Sequence, residues 1–154
     1  MGRWAGRSPE NLAMRDKLNH YHPVCAYAPA AAVTDNTPQV SAWVDRRGYG
    51  ALTWILLTGV LSDADATFAV TMHHAEAVDY SDAVAVDATD LVGTLALAGF
   101  TFADDSKCRK VGYVGDKRYV RLTVTPTGNT GNDFLAILAL LDDAELQPTS
   151  NPPA

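Results

Sequence analysis

The 154-residue chain is predicted to be all-β, a single antiparallel β-sandwich of the jelly-roll kind with an extended N-terminal arm and a short C-terminal tail. Three observations carry that expectation. Proline stands at positions 9, 23, 29 and 38 and again at 126, 148, 152 and 153, leaving 39–125 proline-free. A residue that cannot donate to a ladder is excluded from central strands, so this distribution suits a β core between irregular flanks. Within the core, apolar residues recur with period two more often than 3.6. Polar clusters of turn-forming residues, among them Ser62-Asp63-Ala64-Asp65 and Gly128-Asn129-Thr130-Gly131-Asn132-Asp133, punctuate the apolar runs.

The expected division is an N-terminal extension and arm over 1–38, the sandwich over 39–145 and a Pro-rich tail over 146–154. His20-Tyr21-His22-Pro23 through Ala30-Ala31-Ala32 reads as the extended arm. Leu52-Thr53-Trp54-Ile55-Leu56-Leu57 is apolar on both faces, the mark of a central strand. In Thr67-Phe68-Ala69-Val70-Thr71-Met72 the large residues alternate with small or polar ones, as in a strand with one buried face. The polar link between these two runs predicts that they pair antiparallel. Asp82–Gly93 reads as a short edge strand plus loop. Lys110–Val114 and Lys117–Thr125 flank Gly115-Asp116, which predicts a hairpin on a type II′ turn, with Val120, Leu122 and Val124 on one face. Leu and Ala give 134–141 a helical propensity, but its short length and the preceding turn favour a buried strand. Gln147-Pro148 to Pro152-Pro153-Ala154 cannot continue either element.

Twelve Lys plus Arg against 18 Asp plus Glu give a net charge of −6 and a pI near 5.0. With 47% hydrophobic and 19% charged residues the chain is globular in composition, which excludes disorder and a nucleic-acid binder relying on net positive charge. A chain of this length buries roughly 70% of its unfolded surface in one core. No apolar run approaches the ~18 residues of a membrane-spanning helix. Cys25 and Cys108 stand far apart and in no ligand spacing, so two free thiols are expected, with no metal and no cofactor. The first residues lack the apolar stretch of a signal peptide, so synthesis in the cytoplasm is expected.

Candidate chemical groups are few. His73 and His74, adjacent on a strand, point to opposite faces and cannot chelate one ion as a pair; a solvent-facing strand end is the plainer expectation. His20 and His22 share a face if their segment is extended, without an acidic or thiol ligand nearby in sequence. Asp63 and Asp65 lack the glycine and terminal glutamate of a calcium loop and read as a solvated turn, as do Asp104-Asp105 and Asp142-Asp143. No nucleophile elbow, Walker loop or dinucleotide fingerprint is present, and no enzymatic activity is expected.

The densest positive cluster is Lys107, Arg109, Lys110, Lys117, Arg118 and Arg121, all contributed by the predicted hairpin and set against acidic stretches at 63–65, 79–90 and 104–105. Three readings are open: an anion or nucleic-acid patch, a docking surface for an acidic protein, or a solvated face whose cations discourage edge pairing.

The segment Lys110-Val111-Gly112-Tyr113-Val114-Gly115-Asp116-Lys117-Arg118-Tyr119-Val120-Arg121-Leu122 resembles the GYxGxKRYVR hairpin of small proteins encoded in structural-gene clusters of tailed bacteriophages and prophages. Ala28-Pro29-Ala30, the step from Asp45 to Gly48-Tyr49, the turn and strand Ser62–Phe68, and Leu91-Val92-Gly93 agree with it in order, so the resemblance covers roughly 14–141. Such relatives begin near a Met-Arg-Asp, here Met14-Arg15-Asp16, which makes 1–13 an extension. The Ala- and Asp-rich stretch His73–Asp90 departs from the pattern. The resemblance implies a virion component that decorates or cements the capsid or forms the base of a head spike. It would bind the major capsid protein or other virion proteins, assemble as a homo-oligomer, and have neither membrane nor nucleic acid as partner. The arm residues Tyr21, Pro23, Tyr27 and Pro29 and the cationic cluster are the expected contacts. A tail or neck component is the alternative within the same class. A carbohydrate-binding module is the alternative outside it, with Trp43, Tyr49, Trp54 and Tyr80 as the aromatic platform, although Trp54 reads as buried.

Overall fold

The computed structural model describes residues 17–153; the expected extension over 1–13 and the Met14-Arg15-Asp16 start lie outside them. Two antiparallel sheets pack face to face. Sheet A has the order β1(His22–Tyr27), β11(Asp133–Ala144), β4(Tyr49–Leu61), β9(Cys108–Tyr113) and β7(Leu91–Val92). Sheet B runs β2(Gln39–Val40), β10(Tyr119–Thr127), β5(Thr67–Ala75), β6(Val84–Ala85), with β3(Val44–Asp45) also on β10 and β8(Phe100–Thr101) also on β5. One helical turn, α1(Leu95–Ala98), is capped by the Thr94 side chain, which accepts from Leu97 N. β2 and β3 are one strand interrupted at Ser41, whose hydroxyl accepts from Leu122 N at 3.0 Å.

The topology is a jelly-roll. Counting β2 and β3 as one strand, and leaving aside the short additions β7 and β8, the pairs are nested: β1 with β11, β2–β3 with β10, β4 with β9, β5 with β6. Alternation builds the core between the sheets. Leu52, Trp54 and Leu56 on β4 and Leu135, Ile137, Ala139 and Leu141 on β11 face Phe68, Val70 and Met72 on β5 and Val120, Leu122 and Val124 on β10. Burying each of the larger side chains contributes about 1.5–3 kcal/mol.

The central position of β4, the strand at 134–141 and the buried faces of β5 and β10 are as the sequence predicts. Asp82–Gly93 supplies two very short strands, β6 and β7, one in each sheet. Both predicted pairings of sequence neighbours are overturned. β4 and β5 lie in different sheets, and so do β9 and β10, because in a jelly-roll these tight links arch from one sheet to the other. Gly115 is accordingly not among the glycines of positive φ, and no type II′ turn forms.

The arm is corrected as well. Residues 22–27 are extended, but they form the edge strand β1, paired along β11 with Ala26 buried. Pro23 sits in this edge strand, opposite Leu140, where a missing donor is tolerated. Among the described residues no strand follows Ala144, as expected of the tail, and Thr149 N donates to Asn19 O at 2.9 Å.

Candidate functional site

The two outer faces of the sandwich differ in kind. On sheet B the outward positions are Thr67, Ala69, Thr71 and His73 on β5 and Arg121, Thr123 and Thr125 on β10, a face suited to water. On sheet A the register places Cys25, Leu138, Ile55 and Lys110 in one row across the strands, and Ala136, Leu57 and Cys108 in the next. A third row joins Pro23, Leu140, Thr53, Gly112 and Val92. Phe134 extends the face at one end and Asp142 closes it at the other. Leu57 is 44% exposed, Val92 59% and Val60 57%.

An antiparallel sheet with one wet face alternates apolar and polar residues; β4 and β11 do not, and their outward residues form an apolar field. Two grooves adjoin it. One, of about 460 Å³, lies between β4 and β9 and the Val92–Leu97 segment, lined by Thr53, Val92, Leu97, Lys110 and Val114. A Cβ on Gly112 would lie 3.1 Å from Val92 Cβ, so the missing side chain there lets β7 close the groove floor. The other, of about 240 Å³, is lined by Leu18, Tyr21, Pro23, Leu140 and Pro153.

The cationic cluster does not assemble. Lys107 and Arg109 stand at one end of β9 on Asp104, with Arg109 Nη2 2.6 Å and Lys107 Nζ 3.5 Å from its Oδ1. Lys117 and Arg118 follow the other end of β9, where Arg118 makes a two-pronged pair with Asp45, Nη2 to Oδ2 at 2.6 Å and Nε to Oδ1 at 2.9 Å. Lys110 is on the outer face of sheet A, and Arg121, on sheet B, lies 4.6 Å from the Trp43 ring centroid. The premise of one shared hairpin fails with the topology. These pairs hold carboxyls below their ordinary value: Asp45 through its hydrogen bond with Arg118, and Asp104 first through Thr101 N and then through Arg109.

Of the arm residues, Tyr21 and Pro23 border the smaller groove, Tyr27 packs on the core and Pro29 is exposed in the link to β2. Of the four aromatics, Trp54 is fully buried and Tyr49 lies beside His22. Trp43 and Tyr80 do meet, stacked at 4.6 Å, with Tyr119 edge-on to Tyr80 at 5.3 Å. With Arg121 over Trp43, both rings already have partners within the chain.

His73 and His74 point to opposite faces, but His74 is interior rather than solvent-facing. It shares phase with Phe68, Val70 and Met72, and its Nδ1 lies 2.8 Å from the Tyr113 hydroxyl. Asp63 anchors its turn, accepting from Thr130 N and Oγ1 at 2.7 and 2.8 Å. Cys25 and Cys108 are both exposed thiols, on strands separated by β11 and β4. Among the described residues no three His, Cys, Asp or Glu side chains gather as a metal-ligating cluster, and no helix is long and apolar enough to cross a membrane. Sequence reasoning missed the buried Gln39, Asn129 and Asp133, which lie at one end of the sandwich.

The fold and site define a jelly-roll β-sandwich with one polar and one apolar outer face. No protein-family model and no curated protein matches the sequence. Similar solved structures include the CBM22-1 and GH10 modules of endo-1,4-β-D-xylanase 10B from Clostridium thermocellum, complexed with xylohexaose. That match has 9% identity and a TM-score of 0.42, over 84% of this chain and 27% of that one. Dimeric latent PorU from Porphyromonas gingivalis is similar at 12% identity and a TM-score of 0.35, over 80% of this chain and 12% of that one. In both cases this chain spans a minor part of the longer protein.

Proposed function

We propose that this chain is a non-catalytic structural component of a tailed-phage particle, of the capsid-decoration or head-spike-base kind. In this reading it self-associates through the outward face of sheet A and docks as an oligomer on neighbouring virion proteins. The observation that carries the docking is the apolar field centred on Ile55, Leu57 and Leu138. Water on such a face is unfavourable in proportion to its area, and a second copy supplies a matching apolar surface without any new partner chemistry. Lys110 and Asp142, on different strands of the face, add opposite charges that orient the approach. The virion assignment rests on the sequence resemblance.

Leu57→Lys and Ile55→Lys place a charge in the middle of the field while leaving the core untouched. The expected outcome is an oligomer in wild type and a folded monomer in the double variant, read by light scattering on a sizing column with circular dichroism as the fold control. Wild type should also co-sediment with purified particles of the encoding phage, and the variant should not. A wild-type chain that stays monomeric at high concentration and is missing from particles refutes the proposal.

A further inference from the structure

At the end of the sandwich closed by the links 28–38 and 128–132, three polar side chains are almost wholly buried: Gln39 at 2%, Asn129 at 2% and Asp133 at 1% exposure. Asp133 opens β11 with its side chain between the sheets, and Gln39, on β2 of the other sheet, meets it with Nε2 donating to Oδ2. Asn129 Nδ2 donates to the carbonyls of Val33 and Asp35 at 3.3 and 3.1 Å. Val33 in turn exchanges two backbone hydrogen bonds with Asp133, at 3.0 and 2.9 Å, which ties the trio to one neighbourhood.

Gln39 Nε2 and Asn129 Nδ2 thus each have a partner, yet one oxygen on each of the three side chains is left. Gln39 Oε1, Asn129 Oδ1 and Asp133 Oδ1 are buried without a hydrogen-bond partner among the described residues. Orphaned buried acceptors are rare and costly, and acceptors cannot satisfy one another. A water brings two hydrogens for three oxygens and no charge for the carboxylate.

We infer that this end of the sandwich binds a hard cation of calcium or sodium size, held by the side-chain oxygens of Gln39, Asn129 and Asp133. Two amide carbonyls and a carboxylate are an all-oxygen donor set, the preference of hard ions and not of zinc or copper. A single carboxylate neutralises a monovalent ion. A divalent ion would draw on the further negative field of Asp35 and Asp63, whose carboxylates are fixed to the same two links by Thr37 N at 2.8 Å and Thr130 N at 2.7 Å. The ion would bridge the two sheets and pin both closing links.

The test uses the full chain, stripped with chelator and exchanged into choline chloride, with thermal unfolding followed on adding CaCl2 or NaCl at matched ionic strength. At about a hundredfold excess over Kd the bound ion should raise Tm by roughly 5 °C or more. A response to calcium alone identifies a divalent site, and a response to sodium a monovalent one. Asp133→Asn, which keeps shape and loses charge, should abolish the shift. Gln39→Met, missing one ligand and keeping the volume, should weaken Kd on the order of tenfold and stands in if the first variant does not fold. No shift beyond the choline control, or an equal shift in wild type and variants, overturns the inference.

Discussion

The Tyr113 hydroxyl serves two partners in the interior, lying 2.8 Å from His74 Nδ1 and accepting from Lys117 N at 3.1 Å, while the Arg46 guanidinium lies 5.1 Å from the ring centroid. Burial raises its ionisation above the ordinary value, so it is a neutral phenol at physiological pH. Tyr113→Phe leaves His74 buried without that bond, and a loss of about 1–3 kcal/mol is expected from urea unfolding. The inward position of His74 was readable from phase, since 68, 70, 72 and 74 share one side of β5; its polar character argued for solvent, and a partner distant in sequence decided otherwise. At the surface, Asp45 and Asp104 have folded values below their ordinary ones. Their contribution is therefore complete above the ordinary carboxylate range, near pH 4, and is lost as pH falls through the folded values. Stability should drop as pH is lowered below about 4. Asp45→Asn should flatten that slope by no more than about 1 kcal/mol, because its pair with Arg118 is partly exposed.

Strands were legible one by one and their pairing was not. Alternation in 67–72 and 120–124 fixes which side chains face inward wherever the strand sits, whereas Gly115-Asp116 looks the same in a hairpin and in an arch between sheets. What the arch needs at 115 is space: a Cβ there would lie 2.5 Å from the Tyr113 hydroxyl oxygen and 2.6 Å from its Cζ, and the ring is locked in the core. Gly115→Ala should cost about 1–3 kcal/mol by overpacking, measured as a lowered denaturation midpoint with unchanged m. The segment His22–Tyr27 read as an arm because Pro23 and Pro29 punctuate it, although Pro23 suits an edge strand equally well. Deleting residues 1–38 removes β1 and the Val33 bridge to Asp133 and bares one edge of β11. Loss of cooperative thermal unfolding is expected, where a free arm would leave it intact.

For the molecule as a whole, the net charge of −6 says less than its arrangement. Cations that cluster in sequence are parted: Lys107 and Arg109 stand beside Asp104 at one end of β9, Arg118 beside Asp45 past the other, and Lys110 and Arg121 on different sheets. The apolar character of 52–57 and 134–141 on both faces was visible in the sequence and read there as burial on both sides. It has a second cause, an apolar outer face on which Leu57 stands exposed among the described residues, and only the three-dimensional arrangement separates the two. The site at Gln39, Asn129 and Asp133 was illegible for a related reason: its residues span 39–133 and meet only once two links close over the same end of the sandwich.

The pairing of β1 with β11 also sets how the molecule answers a pull. His22 lies opposite Leu141, so the chain enters β1 and leaves β11 at the same end of the ladder, close to the Asn19–Thr149 bond. Tension between the chain's two ends therefore opens that ladder as a zipper, one bond at a time, instead of shearing all of them together. In the proposed role, load would be borne far better across the broad faces of the sandwich than through its ends, which agrees with the proposed attachment by the outward face of sheet A.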